Sequence, residues 1–274
     1  MSSPRNPADS PTPTGASDGS LNPAGTAPSR GRLIMAGNSL GNPADIPPRS
    51  LAALREADLL IFEEPQGARR ALKAAGIHRE FLLYSEHRES ETMRAAREAF
   101  ATGKTVLYMS DQGMPAVADP GRDLLREAYA RGTTVDVIPG PSSITSAIAV
   151  CPYDCEPFVY LGLLPRQQPE RLKALARAKT LGQTIVILDT PYRLDALLSD
   201  TEEIFGPRHP AFVAFDISGP RQMFWKGLLS EIRAKASALE EKINFVLIVP
   251  GRLSSSSGGG GKSSAHGSHA PTGR

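Results

Sequence analysis

From Leu33 to Gly251 short apolar runs alternate with amphipathic stretches, the rhythm of an α/β protein whose buried strands are separated by covering helices. The pattern predicts strands at 33–36, 58–62, 81–84, 105–109, 135–138, 158–162, 184–188, 211–215 and 244–249, with helices between them. Two helix starts carry chemical signals. Asp119-Pro120 reads as an N-cap followed by proline at the first helical position, ahead of LLREAYA, and Thr190-Pro191 repeats this ahead of YRLDALL. A helical segment is expected at 169–180, and the apolar, proline-bounded stretch 142–150 precedes a junction near 151–157. The expected organisation is therefore two α/β domains, residues 32–150 and 151–252, with no internal repeat and no heptad pattern.

The ends differ from this middle. Residues 1–31 are mostly Pro, Ser, Ala, Gly, Thr and Asn, and 253–274 begin with serine and glycine runs, so both are expected to be disordered tails. The amino end has no secretory apolar run, and Asp9 and Asp18 argue against a transit peptide. No stretch approaches the roughly 18 apolar residues of a membrane span, which leads to the expectation of a cytoplasmic protein. The chain carries 31 basic and 29 acidic residues, but removing residues 1–32 and 252–274 leaves 25 and 27, a core of about −2. A polyanion-binding footprint is thus not global, though local patches are compatible with it. Cys151 and Cys155 have neither CxxC nor zinc-site spacing, and the five histidines are scattered, so no metal site is expected.

Three turns carry the candidate chemistry. The loop after the first strand, AGNSLGNPADIPPRSL, holds Gly37 and Gly41 without the GxGxxG spacing of a dinucleotide site. The second, SDQGMPAVADPG, leaves the carboxyl end of a strand, where α/β sheets open a ligand crevice; Gly113 permits close backbone approach and Asp111 offers a hydrogen-bond acceptor. Its bland reading is a capping loop in which Asp111 serves its own backbone. The third, IPGPSS, places Ser142 and Ser143 at a helix amino terminus, where free amides hold a carboxylate or a ribose edge, one serine serving as N-cap. A functional pocket requires turns 37–42, 111–117 and 140–143 to converge.

These elements have the order and spacing of a known group. The fragments Leu40-Gly41-Asn42, ADIPPRSL, LREADLL, Tyr84 to His87, Ser110-Asp111 with Gly113 and Pro115, Asp119-Pro120-Gly121, Ile138 to Ser142 and Leu161 to Arg166 occur in register. Together they resemble the tetrapyrrole methylase superfamily, in particular its ribosomal RNA small subunit methyltransferase I type, which methylates a cytidine 2'-O ribose; the resemblance spans Leu33 to Gly251. It implies a two-domain α/β fold with S-adenosylmethionine in a cleft between the domains, and a homodimer. Carried over by position, the implied cofactor contacts are Leu40, Gly41, Gly113, Met114, Val117, Ser142, Ser143 and Leu163. Ribosomal RNA or the small ribosomal subunit is the implied partner.

The chain departs from the group on the substrate side. A Glu-Asp-Thr-Arg-like run is replaced by Glu63-Glu64-Pro65-Gln66, a Ser-Pro-His-Arg-like stretch by Thr190-Pro191-Tyr192-Arg193, and an Arg-Glu-Leu-Thr-Lys-like stretch by Phe215 to Gly219. A ribose hydroxyl is a weak nucleophile, so a nearby base assists its methylation; Glu63, His87 and Asp111 are the candidates. Arg166 and Arg193 are the candidate phosphate contacts, single arginines otherwise being surface or ion-pair residues. Two other readings stand beside RNA methylation: methylation of a small molecule such as a tetrapyrrole, and a non-catalytic relative that binds cofactor or RNA.

Overall fold

The computed structural model describes residues 31–84, 89–117 and 121–251. Among the described residues ten strands form two five-stranded sheets. The first contains β1 (Arg32–Ala36), β2 (Leu59–Phe62), β3 (Leu82–Leu83), β4 (Thr105–Met109) and β5 (Thr134–Ile138) in the order β3-β2-β4-β1-β5, all pairs parallel. Its central strands are apolar at successive positions because both faces are covered. Leu33 and Met35 face a layer built with α3 (Glu89–Ala101) and α4 (Arg122–Ala130), while Ile34 and Ala36 face α1 (Pro48–Glu56) and α2 (Pro65–Ala75). This period-two division makes a doubly wound layer whose loops open at the strands' carboxyl ends.

The second sheet contains β6 (Phe158–Gly162), β7 (Thr184–Asp189), β8 (Pro210–Phe215), β9 (Met223–Leu228) and β10 (Phe245–Val249) in the order β6-β7-β10-β8-β9. Here β10 runs antiparallel to both neighbours, Phe245 pairing with Asp189 and with Phe215. Phe245, Leu247 and Val249 pack against α6 (Gln168–Thr180), α7 (Leu194–Phe205) and α8 (Leu229–Ser237). Val246 and Ile248 face the opposite layer, which includes Ala147 of α5 (Ser143–Val150). Thus α5, which follows the first sheet in the chain, packs on the second and joins the two.

All nine expected strands occur, with small shifts at their ends; β9 is an addition. Its pattern is that of an edge strand: Met223 and Trp225 turn toward the core, with Trp225 4.6 Å from the Phe215 ring, while Phe224 is exposed. The helix starts differ from expectation. Asp119 and Pro120 lie outside the described residues, and α4 begins at Arg122 with Gly121 at the N-cap position. Pro191 opens a 3-10 turn, Pro191–Arg193, and α7 follows from Leu194. Thr190 makes no capping bond through its side chain; instead its amide donates to Asp189 Oδ1 at 2.7 Å, so the carboxylate at the end of β7 organises this turn.

Candidate active site

The three turns of the first sheet meet at its carboxyl edge. Asn38 N donates to Gly113 O at 2.8 Å, and Gly113 N returns a bond to Ser39 O at 3.2 Å. The buried Asn38 amide donates to the carbonyls of Ser110 and Asp111, both at 3.0 Å, so one side chain fixes two turns. Gly37 N donates to Ile138 O at 2.9 Å, and a Cβ on Gly37 would lie 2.6 Å from Gly140 Cα. These backbones approach at a distance that leaves no room for a side chain. Gly113 adopts φ +68°, the left-handed region, which turns the 111–117 segment over Leu40.

Across from this edge the second sheet presents the carboxyl ends of β6, β7 and β8. Because β10 is reversed, its amino end, Asn244 to Val246, reaches the same rim. Between the edges lies a cavity of about 480 Å³, within the range of small-ligand and cofactor sites. The two sides are joined at several points. Gly41 packs on Gly219, the Ser218 hydroxyl donates to the Asp45 carboxylate, and Asn244 Nδ2 donates to Gln112 Oε1 at 3.2 Å. The 216–219 loop that makes the first two contacts is bent through left-handed Asp216 (φ +44°) and Ser218 (φ +65°).

The cavity wall is part apolar, including Leu40, Met114, Ile144, Leu163, Leu188 and Ile217, and part polar, with Gln112, Ser142, Ser143, Thr190 and Asn244 beside several acids. Among the described residues Glu63, Asp111, Asp189 and Asp216 line it against one cation, Arg70. Burial pushes the Glu63 carboxyl up from its ordinary range and the neighbouring Asp111 charge adds to this. Asp111 is also raised by burial, while Arg70 pulls the other way. Asp111 Oδ1 and Asp189 Oδ2 are buried without a hydrogen-bond partner among the described residues. Burial likewise raises Asp189, opposed by the Thr190 amide and by Arg193. At the amino end of α5, Ser142 occupies the N-cap position without a side-chain capping bond, and Ser143 and Ile144 also line the cavity.

Of the residues singled out from sequence, Leu40, Glu63, Asp111, Gly113, Met114, Val117, Ser142, Ser143 and Leu163 line this one cavity. Gly41 lies outside the lining, beneath Gly219, where a Cβ would come within 2.8 Å of the Gly219 Cα. Arg166 is exposed and also outside the lining. Arg193 is held by protein groups: its Nη2 donates to Leu164 O at 2.9 Å and Pro165 O at 2.8 Å, and its Nη1 lies 3.4 Å from Asp189 Oδ1. His87 lies outside the described residues. Sequence reasoning missed Arg70, Asp189 and Asn244, which also line the cavity, and named Asp216 only within the departing 215–219 stretch.

The comparisons with known proteins agree on a family. The family described as Tetrapyrrole (Corrin/Porphyrin) Methylases matches residues 32–233. The chain is 35% identical over 201 residues to the ribosomal RNA small subunit methyltransferase I of Thermotoga maritima, covering 73% of this chain and 90% of that protein. It is 32% identical over 226 residues to the Leptospira borgpetersenii protein of the same name, covering 81% and 89%. Among solved structures, diphthine synthase superposes with a TM-score of 0.64 at 16% identity, over 80% of this chain and 89% of that one. With the paired sheets and the intervening cleft, these matches show that the chain belongs to the tetrapyrrole methylase family, in the branch of the small subunit methyltransferase I proteins, and is a methyltransferase.

Proposed function

We propose that this protein uses S-adenosylmethionine to methylate the 2'-O ribose of a cytidine in small-subunit ribosomal RNA, acting in the cytoplasm as a homodimer. Residues 32–150 and 151–252 serve as its two domains. One observation carries the reading: a cavity of about 480 Å³ joins the glycine-bearing turns of one sheet to the strand ends of the other, with four carboxylates facing a single arginine among the described residues. An acidic, half-apolar pocket complements a cationic sulfonium nucleoside. No helix among the described residues is long and apolar enough to cross a membrane.

In this reading Leu40, Gly113, Met114, Val117 and Leu163 hold the nucleoside. The Ser142 and Ser143 hydroxyls and the α5 amides hold the carboxylate of its amino-acid part. Gly41 supports this pocket from beneath Gly219. S-adenosylmethionine, when bound, supplies an electrophilic methyl group with a neutral thioether as leaving group. The chain's own work is alignment and exclusion of water, together with acceptance of the ribose hydroxyl proton. Glu63, which lines the cavity, is assigned that proton, burial raising its carboxyl from the ordinary range. Asp111, with Oδ1 against Gly67 and its carbonyl held by Asn38, orients the site. Arg193 positions the 164–165 backbone that follows Leu163. Arg166, exposed beyond the lining, faces the substrate.

The test is transfer of tritium from labelled S-adenosylmethionine to unmodified small-subunit ribosomal RNA, followed by mapping of the labelled nucleotide. Label on a cytidine ribose is the expected result. Cofactor binding without RNA labelling refutes the substrate, and labelling of a tetrapyrrole instead favours small-molecule chemistry.

A further inference from the structure

The acidic cavity poses a problem for a polyanionic substrate: phosphates are repelled by the pocket that the ribose must enter. The backbone of the RNA therefore needs an external track that begins at the mouth. Arg70, the one cation of the lining among the described residues, stands on α2. On the exposed face of that helix it is joined by Arg69 and Lys73, at the spacing of one turn. The buried face is Gly67, Ala68, Ala71, Leu72 and Ala75, which fixes the direction of the cationic face outward.

The charge pattern on this segment is one-sided. From Pro65 to Arg79 there are four cations and no carboxylate, in a core that is about −2 overall. Apart from the exposed Arg166, three other arginines of the second half are occupied. Arg171 is buried against Asp200, Arg193 is held by carbonyls, and Arg221 pairs with Glu241 at 2.7 Å. None of Arg69, Arg70 and Lys73 forms an ion pair among the described residues, and all three are exposed.

We infer that the outer face of α2 is the phosphate track for the RNA strand: Arg70 contacts the phosphate beside the methylated nucleotide, and Arg69 and Lys73 contact those that follow. This rests on the RNA reading above and adds to Arg166 a cationic surface on the other side of the mouth. It also accounts for tolerance of Gln66 in the first turn, because Arg70 lies one turn on along the same face.

The test compares wild type with Arg69→Gln/Lys73→Gln, leaving Arg70 in place, by measuring affinity for unmodified small-subunit ribosomal RNA across a salt series. Each lost single-strand phosphate contact lowers the slope of log affinity against log salt by about 0.7, so the double variant is expected to lose about 1.4. A fourfold rise in salt then costs it about sevenfold less affinity than it costs wild type. S-adenosylmethionine binding by calorimetry stays unchanged, which reports an intact fold. Arg177→Gln/Lys235→Gln, on α6 and α8, removes the same charge elsewhere and leaves the slope unchanged. A wild-type slope in the α2 variant, or an equal loss in the control, overturns the track. Binding and labelling of RNA by wild type together with an unaltered α2 variant refutes the track alone; a wild type that does not bind RNA refutes the function as well.

Discussion

Gly41→Ala tests how closely the two sides of the cleft must meet. The glycine's φ is outside the left-handed region, so alanine fits the local backbone and the perturbation is confined to one contact. Its new methyl lies 2.8 Å from Gly219 Cα and 2.9 Å from Gly219 N, main-chain atoms that cannot rotate away. Reaching even the 3.4 Å of ordinary van der Waals contact requires the 37–42 and 216–219 loops to part by about 0.6 Å. A displacement of about 1 Å at a reacting centre costs about a hundredfold in rate, so about tenfold is expected here, or about 1.4 kcal/mol. The assay is initial-rate methyl transfer to RNA, reported as kcat/KM, alongside urea unfolding. Gly182→Ala provides the comparison: φ +62° makes it locally strained, yet nothing lies within 4 Å and it is in the turn between α6 and β7. It should lose about 1 kcal/mol of stability with kcat/KM unchanged. A Gly41→Ala enzyme within twofold of wild type would refute the requirement for close apposition.

Three further outcomes follow from the packing and charges. Arg171→Met strands Asp200, a carboxylate only 1% exposed, and should cost about 3–5 kcal/mol in urea unfolding; Arg171→Met/Asp200→Leu should regain most of it, and a single-variant loss below about 1 kcal/mol contradicts the pairing. Glu63 is raised in the folded state, so its stabilising contribution is present below its ordinary value of 4.5 and is lost as pH rises through the raised value. Glu63→Gln should therefore gain stability relative to wild type as pH increases across that window, and a difference moving the other way in pH-dependent unfolding would show the sign to be wrong. S-adenosylmethionine at 100 times its Kd should stabilise the fold by about 2.7 kcal/mol in a thermal unfolding series, and no shift at that ratio would count against binding to the native state.

Strand positions were readable because most core segments are apolar and separated by turn residues, as in LLIF, TVLYM and FVLIV. Strand β9 escaped notice because MFWKGL alternates in and out at a sheet edge, mixing Lys226 and Gly227 with aromatic residues; the period-two signal was present at Met223 and Trp225 but short. The first-sheet side of the cavity was legible from its turns, since parallel strands put their functional loops at carboxyl ends. Asn244 was not, because it precedes β10, and only the antiparallel pairing brings an amino end to that rim. Asp189 ended a correctly located strand without announcing that its carboxylate would organise the following turn. Arg193 shows the complementary limit: a cation in a familiar position gives no indication in sequence of the carbonyls that occupy it.

The place of β10 in its sheet has a consequence for biosynthesis. Among the described strands it is the last to leave the ribosome, yet it lies between β7 and β8. Until Phe245–Val249 emerges, those two strands have no partner between them and the layer cannot close. The parallel sheet has all five of its strands by Ile138, so it can consolidate during translation while the other half waits. A nascent chain arrested shortly before Phe245 would carry one finished layer and one with two bare apolar edges, the form most dependent on chaperones.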